Sequence, residues 1–528
     1  MPITPDSQLK RWVDITPAQG IDAEDPSSGM LTEDTFVSDS ENFEFHHGAA
    51  FSRPGITAIT FKPVFETIVG GAADQDAWSP LASGTRSYGN FASTNINTIA
   101  RKGATIRSFN FLWTGVSEWT VAENLENPVG APHPLPDPAT VRSFDYVNGD
   151  LYIASINSKI LRIANAAGLY ELVTDTDKWE NIVSHRARLI GARSVAAPQS
   201  VGWSVSGNAL SWNVYGGNSV GTALADSIDS VVGLANIRNV IVVFHANGIS
   251  LLNPTRQANI AYDNERFEKN GIGVYHIDTL ASSRSVAFFV AEDNVYSFDL
   301  NNITPIGTKA GRGITDLCYG AFSTTRGFIC HNVGRRRSSY YIIYEPGQNP
   351  AWFYNIQHNT WTKFTFDSPV SHFSNAPTAF KGVQIRSLVG NSPGTQWPLS
   401  GLSNAFWVMH NDKACERAMW LRSRTFTLGT PMEEWRCTRA IIVHTTVTSV
   451  VMTITLTARN AATGAVSTNS TPTTTANTTT KPDRLVVNFP NPISGNYYDV
   501  RLDYPASTDV TVFKIMLEFD RVGGPRAS

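Results

Sequence analysis

The sequence predicts an all-β protein: a β-propeller over residues 56–420, preceded by an N-terminal extended arm over 1–55 and followed by a C-terminal antiparallel β-sandwich over 421–528. Three observations lead there. Charged residues make up 16% of the 528 residues and aromatic residues 11%, whereas an average soluble domain carries about 25% charged residues. Short apolar runs recur with turn residues between them. Those turns are spaced as the blades of a propeller would space them.

Flat and β-branched side chains pack well on a pleated surface, and 13 Trp, 16 Tyr and 27 Phe suit sheets better than long amphipathic helices. The hairpins make this concrete. Leu151 to Ile156 and Lys159 to Ile163 flank Asn157-Ser158, and Val201 to Val205 and Ala209 to Val214 flank Ser206-Gly207-Asn208. Val240 to His245 and Ile249 to Leu252 flank Ala246-Asn247-Gly248, where Asn-Gly is the strongest short hairpin signal. Ser285 to Val290 and Val295 to Leu300 surround Glu292-Asp293-Asn294, with Val286, Phe288 and Val290 alternating onto one face. Tyr340 to Tyr344, Trp352 to Ile356 and Thr360 to Phe364 read as a meander. Val286, Phe288, Trp203 and Trp212 are expected to be buried between stacked sheets.

Turn centres near residues 157, 207, 247, 292 and 347 lie 50, 40, 45 and 55 residues apart. A four-stranded blade recurs at about 40–50 residues, whereas a solenoid repeats at shorter intervals. Insertions are expected around Gly70 to Asn90 and Asn127 to Asp137. Past Leu421 the alternation in Ala440 to Leu456, Arg484 to Phe489, Tyr498 to Asp503 and Thr511 to Phe519 predicts the sandwich, with Ser467 to Thr480 as a loop too polar to pack. The Asp/Pro/Ser/Gly-rich arm has too little apolar content to build a core. It is expected to be ordered by contacts outside the propeller, with the sandwich or with another subunit.

Several function classes fall away. Lys+Arg number 42 and Asp+Glu 45, a net charge of −3, so no global cationic field holds nucleic acid. The one dense basic run, Arg335-Arg336-Arg337, reads as a solvated turn. Cys318, Cys330, Cys415 and Cys437 show no C-x-x-C spacing and read as reduced, buried thiols. The N-terminus lacks an apolar signal region, and no apolar stretch reaches the roughly 20 residues of a membrane span.

Chemistry is also sparse. Gly217-Asn218-Ser219-Val220-Gly221 fits G-x-S-x-G, but a nucleophile elbow must enter a helix, and no α/β alternation surrounds it. His46-His47 point apart in a strand and lack a third ligand at useful spacing. Glu433-Glu434, and Asp226 with Asp229, are as well explained as surface carboxylates. The expectation is therefore no catalytic residue, no cofactor and no metal.

The stretch Phe43-Glu-Phe-His-His-Gly-Ala-Ala-Phe-Ser-Arg-Pro-Gly55 resembles the opening of phage tail proteins in which a Gly-containing segment leads into Arg-Pro-Gly. Ile228-Asp-Ser-Val-Val-Gly-Leu, Gly271-Ile-Gly-Val, Ser285-Val-Ala-Phe-Phe-Val and Asp293-Asn-Val-Tyr look like the core of the packaged-DNA stabilisation, or tail-nozzle, proteins of short-tailed bacteriophages. Trp352-Phe-Tyr-Asn-Ile-Gln-His-Asn-Thr-Trp-Thr-Lys363 does too. The resemblance covers residues 14–366, and the Thr-rich C-terminal loop departs from it.

The resemblance implies a structural virion protein, not an enzyme, assembled in the host cytoplasm. It implies a homo-oligomeric ring, a hexamer, beneath the portal and the head-to-tail adaptor, with a tail fibre, spike or needle protein as a further partner. The ring would retain and then conduct the genome through transient, non-specific contacts. Residue balance adds an expectation of an acidic or mixed channel wall. The alternatives are a carbohydrate-binding or glycan-cleaving propeller and a generic propeller interaction scaffold.

Overall fold

The computed structural model describes residues 10–17, 33–34, 37–46, 48–58, 60–61, 79–80, 95–102, 105–113, 118–123, 141–155, 158–163, 170–173, 178–194, 198–212, 229–255, 262–268, 271–275, 277–307, 325–333, 338–345, 348–366, 370–375, 383–387, 406–410, 414–428, 433–475 and 481–522. The protein is all-β. Among the described residues the one helical element is a 3-10 turn at Ile277–Thr279. The strands of the described residues form nine sheets, seven small and two large.

Sheet I gathers Thr60–Phe61, Ser79–Pro80, Asn95–Lys102, Thr105–Trp113 and Glu118–Glu123. Sheet II is Val141–Val147, Asp150–Ser155, Leu161–Ile163 and Tyr170–Leu172; sheet III is Trp179–His185, Arg188–Ser194 and Val201–Trp203. Sheet IV comprises Val231–Ile237, Val240–His245, Ile249–Pro254 and Tyr262–Glu268, and sheet V the short strands Ala281–Ser282, Ala287–Val290, Val295–Phe298 and Ile303–Pro305. Sheet VI is the meander Arg326–Val333, Ser338–Tyr344, Ala351–Asn355 and Thr360–Phe364. Sheet VII takes Val370–Asn375, Val383–Ser387 and Phe406–His410, and then a strand from far upstream: Gly55–Ala58 pairs antiparallel with Phe406–His410, His410 opposite Gly55 and Trp407 opposite Ala58.

Sheets II to VII pass along the chain in order, the first strand of each lying against the first strand of the next. Both faces of the middle sheets are therefore covered, which explains their unbroken apolar runs. In sheet IV, Ile241 and Val243 pack toward sheet III, while Val242 and Phe244 pack toward sheet V. In sheet V, Ala287 and Phe289 face sheet IV, and Phe288 and Val290 face sheet VI. Phe288 stacks on Tyr341 at 5.0 Å.

Between sheets II and III the layer is set by Trp179. Gly191 and Gly202 sit opposite each other in the pairing of Arg188–Ser194 with Val201–Trp203, and the indole lies over both. A Cβ on Gly191 would stand 2.4 Å from Trp179 Cγ, and one on Gly202 2.6 Å from Cζ2. Gly191→Ala is expected to cost about 1–3 kcal/mol through overpacking. Thermal denaturation checks this, and an unchanged melting point would show that the indole has room to move.

Three sequence expectations need correction here. Residues 209–212, expected as the first part of a strand from Ala209 to Val214, are not in one, and 213 and 214 lie outside the described residues: Val205 and Asn208 make one isolated bridge, and Trp212 is buried by stacking on Trp179 at 6.3 Å. Trp203 and Val286 are half-buried, unlike Trp212 and Phe288. The segment expected as a polar loop forms the strand Val466–Thr474, paired along its length with Val451–Arg459. Thr is β-branched and favours strands, and at a sheet edge its alternately exposed positions need no core.

The two large sheets combine the two ends of the chain. Sheet VIII orders Glu33–Asp34, Lys10–Ile15, Val510–Arg521, Trp435–Thr446 and Asp483–Gly495, with Phe43–His46 and Ala49–Ser52 attached. Sheet IX orders Val37–Glu41, Met419–Ser423, Tyr497–Tyr504, Val451–Arg459 and Val466–Thr474, with Phe426–Thr427 attached. Residues expected as an arm thus supply strands to both. One buried cluster runs from Phe288, Tyr341 and Trp361 through Phe43 and Phe45 to Leu421, Leu502, Ile515 and Phe519.

Candidate functional site

Two places concentrate polar chemistry. The first is the join between sheet VI and the N-terminal segment. Asn42 adopts a left-handed conformation (φ 63°) and its main-chain N–H donates to Lys363 O at 2.8 Å. Thr360 Oγ1 donates to Phe45 O at 3.2 Å, and Thr362 Oγ1 donates to Phe43 O. Arg53 is fully buried. Its Nε donates to Asn42 Oδ1 at 2.9 Å, Nη1 to Pro54 O at 2.8 Å and Nη2 to Thr365 O at 2.7 Å. Both terminal nitrogens also donate to the Glu416 carboxylate, and the guanidinium lies 5.0 Å from the Phe366 ring centre. Asn42 Nδ2 donates to Thr365 Oγ1 and to Ala418 O, each at 2.9 Å.

Two of the stretches that carry the family resemblance, 43–55 and 352–363, are therefore in direct contact. Their polar residues tie strands together. His46, weighed as a metal ligand, is buried beside Glu44 with Nε2 3.6 Å from Oε2, its ring against Phe51 at 4.6 Å. His47 lies outside the described residues, and among those no group of three or more His, Cys, Asp or Glu is placed to hold a metal.

The remaining sequence candidates do not converge. Glu433 pairs with Arg521 at 3.1 Å, and Asp229 accepts from Asn247 Nδ2 at 3.1 Å. Asp226, the Gly217–Gly221 stretch, Cys318 and Arg335, Arg336 and Arg337 lie outside the described residues. Cys330, Cys415 and Cys437 are buried free thiols, and burial pushes the Cys330 and Cys437 thiols well up.

The second place is a cavity of about 500 Å³ at the ends of the first strands of sheets II to V, lined by Asp145, Ser184, Asn236, Arg238, Asn239, Ser282, Ser283 and Arg284 among others. Polar side chains stitch these strands together. Ser143 Oγ accepts from Ile182 N at 2.8 Å, Asp145 Oδ2 from Ser184 N at 2.6 Å, and Asn181 Oδ1 from Leu234 N at 2.9 Å. The first two strands of sheets II, III and IV are joined by two-residue turns, Asn148-Gly149, Arg186-Ala187 and Arg238-Asn239, with φ positive at both positions of each. Asn-Gly is the usual solution for such a turn. An arginine in that conformation costs about 1–2 kcal/mol, yet two of the three turns place one there.

Arg186 is held from below. With the Asn239 amide in the orientation that satisfies both its ends, its nitrogen donates to His185 Nε2 at 2.8 Å and its oxygen accepts from Arg186 Nη2 at 2.7 Å. His185 Nδ1 lies 2.8 Å from Tyr262 Oη. Burial lowers the pKa of His185, and burial lowers that of His444 in sheet VIII. Histidines kept neutral in the folded state but free to charge when unfolded make the fold less stable as pH falls. The loss sets in below the ordinary value of about 6.5 and grows until the lowered folded value is reached. The melting temperature is expected to drop across that range, and to drop less in His444→Gln. An equal drop in the variant would remove His444 from this account.

Sequence reading missed this cavity. The available signal was an Arg between two apolar runs, at a position where hairpin loops ordinarily take Asn or Gly: Arg186 before Ala187, and Arg238 before Asn239.

No protein family and no curated protein matches the chain. Among solved structures it is similar to the dihydro-heme d1 dehydrogenase NirN, with 8% identity and TM-score 0.34 over 60% of this chain and 59% of that one. It is similar to PorZ, a bacterial surface component of the type-IX secretion system of Porphyromonas gingivalis, with 11% identity and TM-score 0.33 over 68% of this chain and 44% of that one. A quinoprotein alcohol dehydrogenase-like protein from Bacteroides thetaiotaomicron matches at 10% identity and TM-score 0.32, over 55% and 76%. The chain spans less than two thirds of the length of the first two. At such TM-scores these likenesses carry no argument about fold or function.

Proposed function

We propose that this chain is a structural tail-nozzle subunit of a short-tailed bacteriophage, and not an enzyme. The observation that carries the reading is the join just described. Two of the stretches that resemble the tail-nozzle family meet in a mechanical seam, in which Arg53, Asn42, Thr360 and Thr362 direct their hydrogen bonds to main-chain carbonyls, to one another and to Glu416. Such a seam suits a part that must transmit load without reacting.

In this reading sheets I to VII are the blades of a β-propeller, and Gly55–Ala58, paired with Phe406–His410, is the strand that completes its last blade from the other end of the chain. Sheets VIII and IX are the sandwich, bolted to the propeller by the same N-terminal segment. Copies of the subunit assemble as a ring, a homohexamer, below the portal and adaptor of the virion tail, with a fibre, spike or needle protein beyond. The ring retains packaged DNA and conducts it at ejection.

Electron microscopy and mass measurement of the purified protein test this. Rings with a central channel are the expected result, and a lone monomer that hydrolyses polysaccharide would replace the nozzle by the glycan-cleaving alternative. Weak contact with the sliding duplex predicts little retention of DNA on the rings at roughly 150 mM salt, since many phosphate contacts would make binding tight and steeply salt-dependent. Strong retention abolished by replacing Arg335, Arg336 and Arg337 would turn the conduit into a clamp.

A further inference from the structure

We infer that the cavity at the inner hairpin ends is a binding site for the phosphate group of a ligand, gripped by Arg238 and Arg284 and flanked by Arg186. The site is distinct from the seam on which the nozzle reading rests. It stands whether or not that reading does.

Four observations carry it. Arg238 and Arg284 both line the cavity and are exposed, and the turns that bear them are linked, Arg238 N donating to Arg284 O at 2.8 Å. The two arginines thus stand on adjoining sheets and line one space. Arg186 is the next exposed cation around the rim, fixed by Asn239. Among the described residues Asp145 is the carboxylate in the lining, where it accepts the Ser184 N–H at 2.6 Å, and Asp299 lies within electrostatic reach of Arg238.

The backbone supplies the third observation. The turn in sheet II achieves the same geometry with Asn148-Gly149, so the fold does not require arginine there. Arg186 and Arg238 are strained residues, and strain of this kind clusters at functional positions.

The fourth is the rest of the lining. Ser184 and Ser282 bring hydroxyl groups to the lining, while the Asn236 and Asn239 amides and the Ser283 hydroxyl bond Ser184 O, His185 with Arg186, and Val286 O and hold the rim in shape. Guanidinium groups bind phosphate oxygens through paired, charge-assisted hydrogen bonds, and hydroxyl donors complete the shell. A volume of about 500 Å³ exceeds what a bare ion fills, and lies in the range of small-ligand pockets. The occupant is therefore an organic phosphate: a phosphomonoester, or a phosphodiester group of a nucleic acid.

The test uses the full-length protein and inorganic phosphate, followed by calorimetry and thermal denaturation, with chloride at equal ionic strength as the reference. Saturable phosphate binding that raises the melting temperature is expected. In Arg238→Asn that binding should weaken about ten-fold or more. The melting temperature without phosphate should stay level or rise, because Asn fits a left-handed turn more easily than Arg. Arg186→Asn should behave alike with a smaller loss. A wild type indifferent to phosphate, an R238N variant that binds as well as wild type, or an R238N variant that melts lower without phosphate would each overturn the site; the last would make Arg238 a structural residue. A short oligodeoxynucleotide and a mononucleotide as competitors separate the two phosphate sources, and competition that survives R238N also counts against the proposal.

Discussion

Replacing Arg53 by Ala is expected to destabilise the protein by about 3–5 kcal/mol, the cost of removing one partner from a buried ion pair. The side chain is completely buried and its donors serve Asn42, the carbonyls of Pro54 and Thr365, and the Glu416 carboxylate. Alanine leaves these acceptors facing a void and takes the Arg53 charge away from the Glu416 side chain, which is only 20% exposed. Arg53→Lys keeps the charge but offers a single nitrogen, so it cannot span four acceptors and should recover little of the loss. Chemical denaturation decides the matter. A loss below about 1 kcal/mol in the alanine variant would mean that water or a neighbour takes over the role, and that the seam is weaker than its geometry suggests.

The legibility of this fold in sequence follows from how its strands are buried. Val240 to His245, Ala287 to Val290 and Tyr340 to Tyr344 are readable because both faces are covered, which leaves unbroken apolar runs between turn residues. Val466–Thr474 is misread wherever polarity is equated with loop, although an edge strand facing solvent tolerates Thr, Asn and Ser at every exposed position. Trp212 illustrates a different limit. Its burial follows from the sequence, but not through the element expected: it packs from a turn onto Trp179, with its Nε1 donating to Ala209 O at 3.0 Å.

The seam shows where local reading ends. Phe43–Gly55 and Trp352–Lys363 each stand out on their own, yet Thr360 and Phe45 are 315 positions apart in sequence. No spacing or periodicity relates them. The inner cavity is hidden for the opposite reason: its residues are close in sequence to strong hairpin signals, but the turns lack glycine at the positions of Arg186 and Arg238, and a search for permissive residues passes over them.

Deleting residues 1–52 is expected to unfold the two large sheets while leaving sheets II to V intact. The segment supplies Val13, Ile15, Phe43 and Phe45, all at most 1% exposed, to the core shared with Leu517 and Phe519. At about 1.5–3 kcal/mol for each buried large side chain, roughly 6–12 kcal/mol of burial is lost. That rivals the whole stability of a typical domain, about 5–15 kcal/mol. Removal of Lys10–Ile15 also turns Val510–Arg521 into a strand with unpaired main-chain groups along one side. By contrast, among the described residues the cores between sheets II and III, III and IV, and IV and V contain none from this segment. Limited proteolysis with mass spectrometry separates the two outcomes. A protected fragment covering residues 141–305, with rapid cleavage throughout 419–522, is the expected pattern. Protection of 419–522 in the truncated chain would show that sheets VIII and IX hold without the N-terminal strands, and that the segment is a peripheral strap instead of part of their core.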